Sequence, residues 1–526
     1  MPFAQVVCYG NPPRTRHNTT VSRLDQNRWA GLLDVTIDAN SPVPISRQIF
    51  LHLRRAIVDQ ALPAGSAVPS SRELARRIGV SRTSIVSAYD ELYAEGYIEG
   101  RRGSGTFVSN DLPPPLDAGS GMSSPGSPST RRLSAAGIRY RDLSSGALTP
   151  PSMPFALGRC SVDARTADAW RRISLRHQRT IPGDALGYSD PFGRPSFRQV
   201  VSEYLKVFRA VQCQADQVMI TSGAQQALDL SIKVLLDPGD AVWVEDPCYP
   251  ATLRAVVAAN LRPVPVPVDA EGLCVAAGLE REPAPRAIFL TPSHQYPTGA
   301  VMSMNRRIEL LAAASRADAW IVEDDYDSEF RYTGRPLSSL HGLDKNARVI
   351  YIGTLSKVLF PAVRTGFAVI PSDLIPAFRG ARYLMDRGPP IFYQQTIEDF
   401  MREGFFTSHV RRMRQRYRET RDQLVNHLRQ SLAPHATVEP PDGGMHLIAG
   451  LPTSIDDRAV AEEALERGVV VRPLSPLFIE SPPRSGLDLG FTGFEMDELR
   501  EATVRLGDAL RTVAERRPSA QVSTRR

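Results

Sequence analysis

A lysine preceded by small and hydroxyl residues follows an apolar stretch in the second half of the chain. Lys357 ends the run Gly353-Thr354-Leu355-Ser356-Lys357, and Arg364 comes seven residues later. A lysine amine can form a Schiff base with an aldehyde. Thr354, Ser356 and Arg364 offer the hydroxyl and guanidinium donors that hold a phosphate dianion. The segment therefore predicts a lysine that bonds an aldehyde beside a phosphate-binding group.

Three consecutive acidic residues, Glu323 to Asp325, end a second apolar run and are followed by Tyr326. The carboxyl ends of strands are where α/β sheets place ligand-binding side chains. We therefore expect one of these carboxylates to pair with a cationic ring nitrogen. Asp324 is the preferred candidate, and Asp325 is the competing one. Tyr326 would form a hydrogen bond with an oxygen on the same ring.

Two more apolar runs end in residues that could complete such a site. Thr221-Ser222-Gly223-Ala224-Gln225 leads into a helical pattern, and the amides of Ala224 and Gln225 at the helix N-terminus would contact a phosphate. Tyr249 follows another apolar run and is placed to stack on a ring. Pyridoxal 5′-phosphate requires such a set of groups from a protein: a lysine, an acid, a partner for the ring oxygen, an aromatic ring and donors to the phosphate. We therefore predict this cofactor, bonded to Lys357.

The elements that must position these residues alternate between strand and helix patterns from about residue 145 onward. Such alternation indicates an α/β domain with a largely parallel sheet. A helix-rich stretch after about residue 395, followed by strand and helix again, indicates a smaller C-terminal subdomain. The predicted strands are Gln217–Thr221, Ala241–Val244, Ala287–Leu290, Trp320–Glu323 and Arg348–Ile352.

A separate pattern near the N-terminus predicts a helix-turn-helix. Ser70 and Glu73 form a capping box. Gly79 can end that helix with a positive φ, and Ser81 can cap a second helix. The second helix carries an apolar stripe that includes Ile85. The first residues of this helix would meet base edges and phosphates.

A hairpin with arginines at its tip follows the two helices. Residues 97–99 and 106–108 predict short strands, and Arg101 and Arg102 lie among glycines between them. Such a tip suits a wing that approaches a DNA groove. Residues 41–110 hold nine arginines and six acidic residues, an excess of positive charge. The candidate DNA-contacting residues are Ser70, Arg72, Ser81, Arg82, Thr83, Ser84, Arg101, Arg102 and Gly103.

Composition sets the predicted domain boundaries. Residues 1–40 show no clear periodicity and form an N-terminal arm, and residues 41–110 form the DNA-binding unit. Residues 111–144 begin with a stretch rich in Pro, Gly and Ser that predicts a linker. Residues 145–515 form the predicted cofactor-binding domain, and residues 516–526 form a polar tail.

The composition of the whole chain fits a protein of the reducing cytoplasm. The formal net charge of +6 is by itself a weak sign of nucleic-acid binding. The five cysteines are scattered without a C-x-x-C pair, so we predict neither a disulfide framework nor a metal site. We find no secretory signal and no apolar stretch that could span a membrane. A membrane is therefore not expected as a partner.

Two parts of the chain resemble known families. Residues 68–83, with Glu95-Gly96-Tyr97 and Gly103 to Val108, closely resemble the GntR class of winged-helix DNA-binding domains. From about residue 145 to 510 the chain resembles fold-type I aminotransferases. The combination is similar to the MocR/GabR subfamily of GntR regulators, for which Thr291–Gly299 and Glu323–Phe330 are characteristic segments.

This resemblance implies a multidomain fold and a set of partners. An N-terminal winged helix-turn-helix would precede an α/β fold-type I aminotransferase-like domain with large and small subdomains and a mostly parallel seven-stranded sheet. It also implies a homodimer with sites at the interface, in which Tyr188 reaches the phosphate held by the partner subunit. Double-stranded DNA with repeated half-sites is the expected macromolecular partner.

One position departs from the aminotransferase pattern. Those enzymes commonly carry an arginine two residues before a small residue and a phenylalanine, where it holds the substrate carboxylate. Here Gly490-Phe491 are preceded by Asp488 in that place. The missing arginine argues against ordinary transamination of α-amino acids. An acid at this position would suit a cationic effector.

Together these features predict a ligand-responsive DNA-binding transcription regulator that depends on pyridoxal phosphate. A small amine or amino-acid-like effector would form an external aldimine with the cofactor, and the resulting change in the dimer would move the two DNA-binding heads. Two alternatives stay open at this point. One is an active aminotransferase with an accessory DNA-binding head, and the other is a dimerisation scaffold that has lost its cofactor.

Overall fold

The chain divides after Arg132, where one folded unit ends, and the second unit begins at Leu133. The computed structural model describes residues 37–38, 41–101, 103–111, 132–144, 152–179, 187–334 and 338–516. The predicted arm apart from residues 37–38, most of the predicted linker and residues 517–526 of the tail therefore lie outside the described residues. Arg102, one of the two predicted wing arginines, also lies outside them.

Capping residues set the ends of the helices in the first unit. The Ser70 hydroxyl accepts a hydrogen bond from the Glu73 amide at 3.3 Å, and the Ser81 hydroxyl accepts one from the Ser84 amide at 3.1 Å. Gly79 ends the helix between them with a φ of 73°. The elements are α1 Ile45–Val58, β1 Ala67–Val68, α2 Ser71–Ile78, α3 Arg82–Ala94, β2 Ile98–Arg101 and β3 Gly105–Val108.

A single apolar core joins the three helices to the hairpin of this unit. Leu53 of α1, Leu74 of α2, Ile85 of α3 and Val108 of β3 are all buried in it. The three strands form an antiparallel sheet in the order β1-β3-β2. This arrangement confirms the predicted winged helix-turn-helix.

A mixed sheet forms the centre of the second unit. Within the described residues it has eight strands in the order β4-β11-β10-β9-β8-β5-β6-β7. The pairs from β10 through β6 are parallel, whereas β11 and the edge strand β7 run antiparallel to their neighbours. The strands are β4 Val218–Thr221, β5 Ala241–Asp246, β6 Arg262–Asp269, β7 Gly272–Leu273, β8 Ala287–Leu290, β9 Trp320–Asp325, β10 Val349–Thr354 and β11 Gly366–Val369.

This sheet agrees with the sequence expectation in its main strands. Each of the five predicted runs forms a strand, namely β4, β5, β8, β9 and β10. The expectation of seven strands holds if the two-residue edge strand β7 is left out. Successive side chains point to opposite faces of the sheet, so Val244 packs in one core and Trp243 in another. Burial on both faces explains the continuous apolar runs of these strands.

Helices cover the sheet and build the remaining body. Helix α7 packs against α12, α8 and strand β10, whereas α13 packs against α5, α6 and α14. The helices are α4 Ala135–Ser144, α5 Ala164–Arg179, α6 Pro195–Arg209, α7 Ala224–Leu235, α8 Pro250–Ala258, α9 Val275–Arg281, α10 Met304–Arg316, α11 Leu340–Leu343, α12 Ile375–Asp386, α13 Ile391–Arg402, α14 Phe405–Ser431, α15 Asp457–Glu466 and α16 Met496–Glu515. Helix α4 falls within residues 111–144, and it contacts α8.

A small antiparallel sheet near the C-terminus forms the predicted smaller subdomain. Its strands lie in the order β12-β13-β15-β14, and α15 and α16 pack together beside it. The strands are β12 Thr437–Val438, β13 His446–Gly450, β14 Arg472–Pro473 and β15 Gly486–Gly490. In the parts of the chain that are described, no helix is both long and apolar enough to cross a bilayer.

Candidate functional site

A cavity of about 300 Å³ lies where several strands of the large sheet end. Of the ten residues predicted to hold the cofactor, nine line this cavity, although they are spread over more than 130 positions of the sequence. The nine are Ala224, Gln225, Tyr249, Asp324, Tyr326, Thr354, Ser356, Lys357 and Arg364. The tenth, Tyr188, is 85% exposed, and its ring lies 5.1 Å from the guanidinium carbon of Arg387.

Lys357 follows β10 and reaches into the cavity with little room around its amine. A side chain at Gly158, whose φ is 78°, would overlap the lysine Nζ atom, so the glycine keeps this space open. Burial lowers the pKa of Lys357 below its ordinary value. A larger fraction of the amine is therefore unprotonated, and nucleophilic, than for a lysine in water.

The two candidate acids on β9 have different surroundings. Asp325 is buried, and its Oδ2 atom accepts hydrogen bonds from Arg209 Nε at 2.7 Å and from the Tyr351 hydroxyl at 2.5 Å. Asp324 instead lines the cavity with Lys357. This arrangement favours Asp324 over Asp325 as the partner of a ring nitrogen.

The surroundings of the Asp324 carboxyl group would favour a cationic hydrogen-bond donor beside it. Its Oδ1 atom is buried and has no hydrogen-bond partner among the described residues. Burial, together with the nearby charges of Asp325 and Asp327, raises the pKa of Asp324 to about 7. A protonated pyridine nitrogen would supply the missing charge and donor, so this end of the cavity fits pyridoxal phosphate.

The opposite end of the cavity offers donors to an anion. Helix α7 begins at Ala224 after Gly223, which has a φ of 95°, and the first amides of a helix have no partner within it. Arg364 donates a hydrogen bond to the Ser222 carbonyl at 3.1 Å, which places its guanidinium at this helix terminus. The Ser356 hydroxyl is buried and unpaired within the described part of the chain. This combination fits a phosphate.

Two aromatic side chains border the ring region between these ends. Tyr249 precedes α8, lines the cavity and packs edge to face with Tyr296 at a centroid distance of 5.2 Å. The Tyr326 hydroxyl lies 3.0 Å from His294 Nδ1 and 3.4 Å from His446 Nε2. Tyr326 is therefore held by two imidazoles at the position expected to face a ring oxygen.

Two titratable residues of the cavity wall, His446 and Arg472, were not predicted from the sequence. His446 Nδ1 lies 2.7 Å from Asp488 Oδ1. A carboxylate only accepts hydrogen bonds, so Nδ1 carries the proton. Burial is the largest influence on the pKa of His446 and acts to lower it, but the charge of Asp488, the hydrogen bond to Asp488 and the charge of Asp327 together outweigh burial, so the pKa is raised. The sequence gives one signal for Arg472: it is a single charged residue between the apolar segment Val469–Val471 and Pro473.

The first unit presents some of the predicted DNA-contacting residues to solvent. Arg72, Arg82 and Thr83 are exposed near the start of helices α2 and α3, and Gly103 is exposed in the hairpin with a φ of 80°. Arg101 is held by Glu99, with its Nη2 atom 2.9 Å from Glu99 Oε1.

The three serines predicted to contact DNA also form hydrogen bonds at the starts of α2 and α3. Ser70 and Ser81 accept the capping hydrogen bonds described above, and the Ser84 hydroxyl lies 2.8 Å from that of Ser81. Their hydroxyls therefore have local partners. Arg82 donates from Nε to the Ser71 hydroxyl at 3.4 Å, and its terminal nitrogens could still donate to a phosphate backbone.

Comparisons with known proteins match both units. Residues 45–108 match the family described as bacterial regulatory proteins, gntR family, and residues 151–502 match aminotransferase class I and II. A probable rhizopine catabolism regulatory protein, MocR, of Rhizobium meliloti is 38% identical over 90% of this chain and 95% of its own length. The pyridoxine biosynthesis transcriptional regulator PdxR of Corynebacterium glutamicum is 29% identical over 91% of this chain and 98% of its own.

Solved aminotransferase structures match the second unit. The α-aminoadipate aminotransferase LysN of Thermus thermophilus, complexed with a phosphopyridoxyl-leucine, has a TM-score of 0.64 and 29% identity, covering 72% of this chain and 95% of its own. Kynurenine aminotransferase of Pyrococcus horikoshii, complexed with pyridoxamine phosphate, has a TM-score of 0.63 and 28% identity, covering 73% of this chain and 95% of its own. The cofactor of this domain is pyridoxal phosphate, as the sequence predicted.

The contrast between the two neighbouring acids generates a test. Asp324→Asn is expected to weaken pyridoxal phosphate binding about tenfold or more, because it removes a charge-assisted hydrogen bond. The apoprotein should not lose stability, because the unpaired carboxylate is costly to bury. Cofactor titration followed by absorbance, with thermal unfolding of the apoprotein, measures both effects.

Asp325→Asn is the matched control and should behave in the opposite way. It weakens the buried pair with Arg209, so the free energy of unfolding of the apoprotein should fall by about 3 kcal/mol. Equal losses of stability in the two variants would contradict the assignment of the two acids.

The raised pKa of Asp324 also predicts a pH dependence. A carboxyl whose pKa is raised on folding stabilises the folded state while it is protonated and loses that contribution as pH rises from its ordinary pKa of 3.8 to about 7. The stability of apo Asp324→Asn relative to the apo wild type should therefore increase over this pH range. A difference that stays constant with pH, measured by chemical denaturation, would show that Asp324 does not titrate as described.

Proposed function

Since the chain belongs to the MocR-like transcription regulators of the GntR family, we propose that it is a DNA-binding regulator that senses a small amine through pyridoxal phosphate. The observation that carries this proposal is the cavity in which Lys357, Asp324 and Arg364 meet, in a chain that also holds a winged helix-turn-helix. In this proposal, residues 41–110 bind operator DNA with repeated half-sites. Residues 145–515 form the sensing domain, residues 111–144 connect the two, and the protein acts in the cytoplasm.

The residues of the cavity would divide the binding of cofactor and ligand between them. Bound pyridoxal phosphate supplies an aldehyde carbon that condenses reversibly with primary amines. Asp324 would hold the ring nitrogen protonated, and Tyr326 would bond the ring oxygen. Burial keeps part of the Lys357 population unprotonated, so its amine could bond this carbon. The amine of a ligand could then take its place and release the lysine as a free amine. A small ligand with an amine would thus alter contacts at the cavity wall.

A second copy of the chain would complete the assembly. Tyr188 and Leu384 are each 85% exposed, and Tyr383 and Tyr393 are more than half exposed. Arg387 lies between the rings of Tyr188 and Tyr383, so these two side chains share one surface. Exposed apolar side chains on one surface are typical of protein interfaces. A homodimer would carry two DNA-binding units, which suits repeated half-sites.

Aminotransferase activity is the second candidate function, because the cavity holds every residue type that the cofactor requires. Asp488 argues against it, since both of its oxygens are bonded within the protein wall and the usual substrate-binding arginine is missing. The two functions differ in turnover. Repeated conversion of an amino acid and a keto acid at about one per second or faster would favour the enzyme.

Arg82 on the recognition helix provides a test of DNA binding. Arg82→Ala should weaken binding to a duplex that the wild-type protein selects from a random library by about tenfold or more, and a lost phosphate contact would also reduce the salt dependence. Arg500→Ala, which removes an exposed arginine of the second unit, is the control with the same change in charge. Gel-shift titration at several salt concentrations measures both. Equal affinities of the two variants would remove Arg82 from the interface.

Leu384 provides a test of the dimer. Leu384→Asp places a charge on the exposed apolar surface and should raise the dimer dissociation constant, because burying an unpaired carboxylate is unfavourable. Sedimentation velocity over a range of protein concentrations measures the effect. Val504→Asp, on α16 at an exposed site, is the matched control. A dimer that is equally stable in both variants would place the interface elsewhere.

A further inference from the structure

Glu245, the penultimate residue of β5, is a buried acid to which the site described above gives no role. It is 3% exposed. Its Oε2 atom accepts hydrogen bonds from the Thr291 amide at 3.1 Å and from the Thr291 hydroxyl at 2.8 Å. Its Oε1 atom is buried and has no hydrogen-bond partner among the described residues. Burying such an atom without a donor beside it is unfavourable.

A small cavity brings Glu245 and Asp324 together. Both residues line this cavity, which measures about 10 Å³, close to the smallest volume that admits one water molecule. Tyr249 and Thr291 line it as well as the larger cofactor cavity, so the two cavities adjoin. Each of the two carboxyl groups thus borders the same small space, and each has one buried oxygen without a hydrogen-bond partner in the described part of the chain.

A proton held by this pair of acids would resolve both deficits. Two ionised carboxylates cannot satisfy each other, because a carboxylate only accepts hydrogen bonds. A protonated carboxyl group has an O–H donor. One proton would therefore turn two unpaired acceptors into a donor and an acceptor, and it would leave one negative charge in the buried space where there would otherwise be two. Close like charges disfavour the ionisation of both groups, so the singly protonated pair is the less costly state.

The groups around the pair are compatible with a proton on Glu245 near neutral pH. Burial raises the pKa of Glu245 to about 7 against the hydrogen bonds from Thr291, and the charge of Asp324 acts in the same direction as burial. Burial also raises the pKa of Cys248 and of Tyr249, so these two groups line the small cavity in their neutral forms. The other titratable groups that act on the pair do so from the side of Asp324, and they are Asp325, Asp327 and Lys357.

We propose that Glu245 is a positioning residue of the cofactor site, which keeps a proton and donates a hydrogen bond to Asp324, directly or through one water molecule. Asp324 then carries the single negative charge of the pair and presents its other oxygen to the protonated ring nitrogen of the cofactor. A hydrogen bond donated to the ionised form of an acid favours that form, so Glu245 helps to keep Asp324 ionised. This inference concerns how the cofactor is held and does not depend on the sensing function.

Glu245→Gln tests for this proton, because an amide keeps the neutral donor and acceptor of a protonated carboxyl group but cannot ionise. An acid whose pKa is raised on folding stabilises the folded state while it is protonated. Glu245 loses that contribution as pH rises from its ordinary pKa of 4.5 to about 7. The stability of apo Glu245→Gln relative to the apo wild type should therefore rise over this range, as measured by chemical denaturation at a series of pH values.

The same substitution in an Asp324→Asn background shows whether the two acids act on each other. There the rise should be smaller by about tenfold or more in the unfolding equilibrium constant, which corresponds to one pKa unit, because the charge that opposes ionisation of Glu245 is gone. Glu323→Gln is the matched control, since Glu323 accepts hydrogen bonds from backbone amides and does not line the small cavity. Its effect should be the same in both backgrounds. Equal rises for Glu245→Gln in the two backgrounds would overturn the proposal.

Cofactor affinity at pH 7 separates a protonated Glu245 from an anionic one. Glu245→Gln should bind pyridoxal phosphate about as tightly as the wild type, because it keeps the neutral donor to Asp324. Titration of the apoproteins followed by absorbance measures this. A loss of about tenfold or more, the size of an interaction with a charged group, would show that the site needs the charge of Glu245 and would overturn the proposal.

Infrared spectroscopy of proteins that retain Glu245 gives a measurement that does not depend on the folding of Glu245→Gln. The carbonyl stretch of a protonated carboxyl group is lost when the group ionises. The apo wild type should lose such a band near pH 7, and apo Asp324→Asn should lose it about one pH unit lower or more. A band lost at the same pH in both proteins would show that Glu245 does not hold its proton against the charge of Asp324.

Discussion

The buried ion pair between Arg209 and Asp325 fixes the strand end on which the cofactor site depends. Arg209, the last residue of α6, donates to Asp325 and also to the Ser293 hydroxyl at 3.0 Å. Breaking such a pair leaves an uncompensated charge in the interior and is strongly unfavourable. The pair therefore sets which side chains of β9 turn toward the protein interior and which turn toward the cavity.

Three consecutive acids on β9 consequently have three different tasks. Glu323 accepts hydrogen bonds from the Leu340 and His341 amides at the start of α11, and Asp325 is bound to Arg209. Asp324, between them, faces the opposite side because side chains alternate along a strand. Within the described part of the chain its Oδ1 atom has no hydrogen-bond partner, and its side chain lines the cavity together with Lys357. The structural roles of the outer two acids make the middle one available for the cofactor.

Much of this arrangement follows from the sequence, because the determining signals are local. The capping patterns at Ser70 and Ser81 predict where two helices begin. The apolar runs predict strands, and the residues that end these runs meet at one edge of the sheet. The choice between Asp324 and Asp325 could not be made locally, since it depends on Arg209, which lies 116 residues earlier in the chain. Arg472 was missed for a related reason. Its place in the cavity follows from pairing with β15, and strand pairing leaves no short-range pattern in the sequence.

The most direct measurement of the central claim is the DNA affinity of wild type and Lys357→Ala, with and without an amine that shifts the cofactor band of the wild type. A duplex selected by the wild-type protein serves as the ligand, and fluorescence anisotropy gives the dissociation constants. The account predicts that the amine changes the DNA affinity of the wild type and leaves that of Lys357→Ala unchanged. An amine that shifts the band but alters neither affinity, or alters both equally, would contradict it.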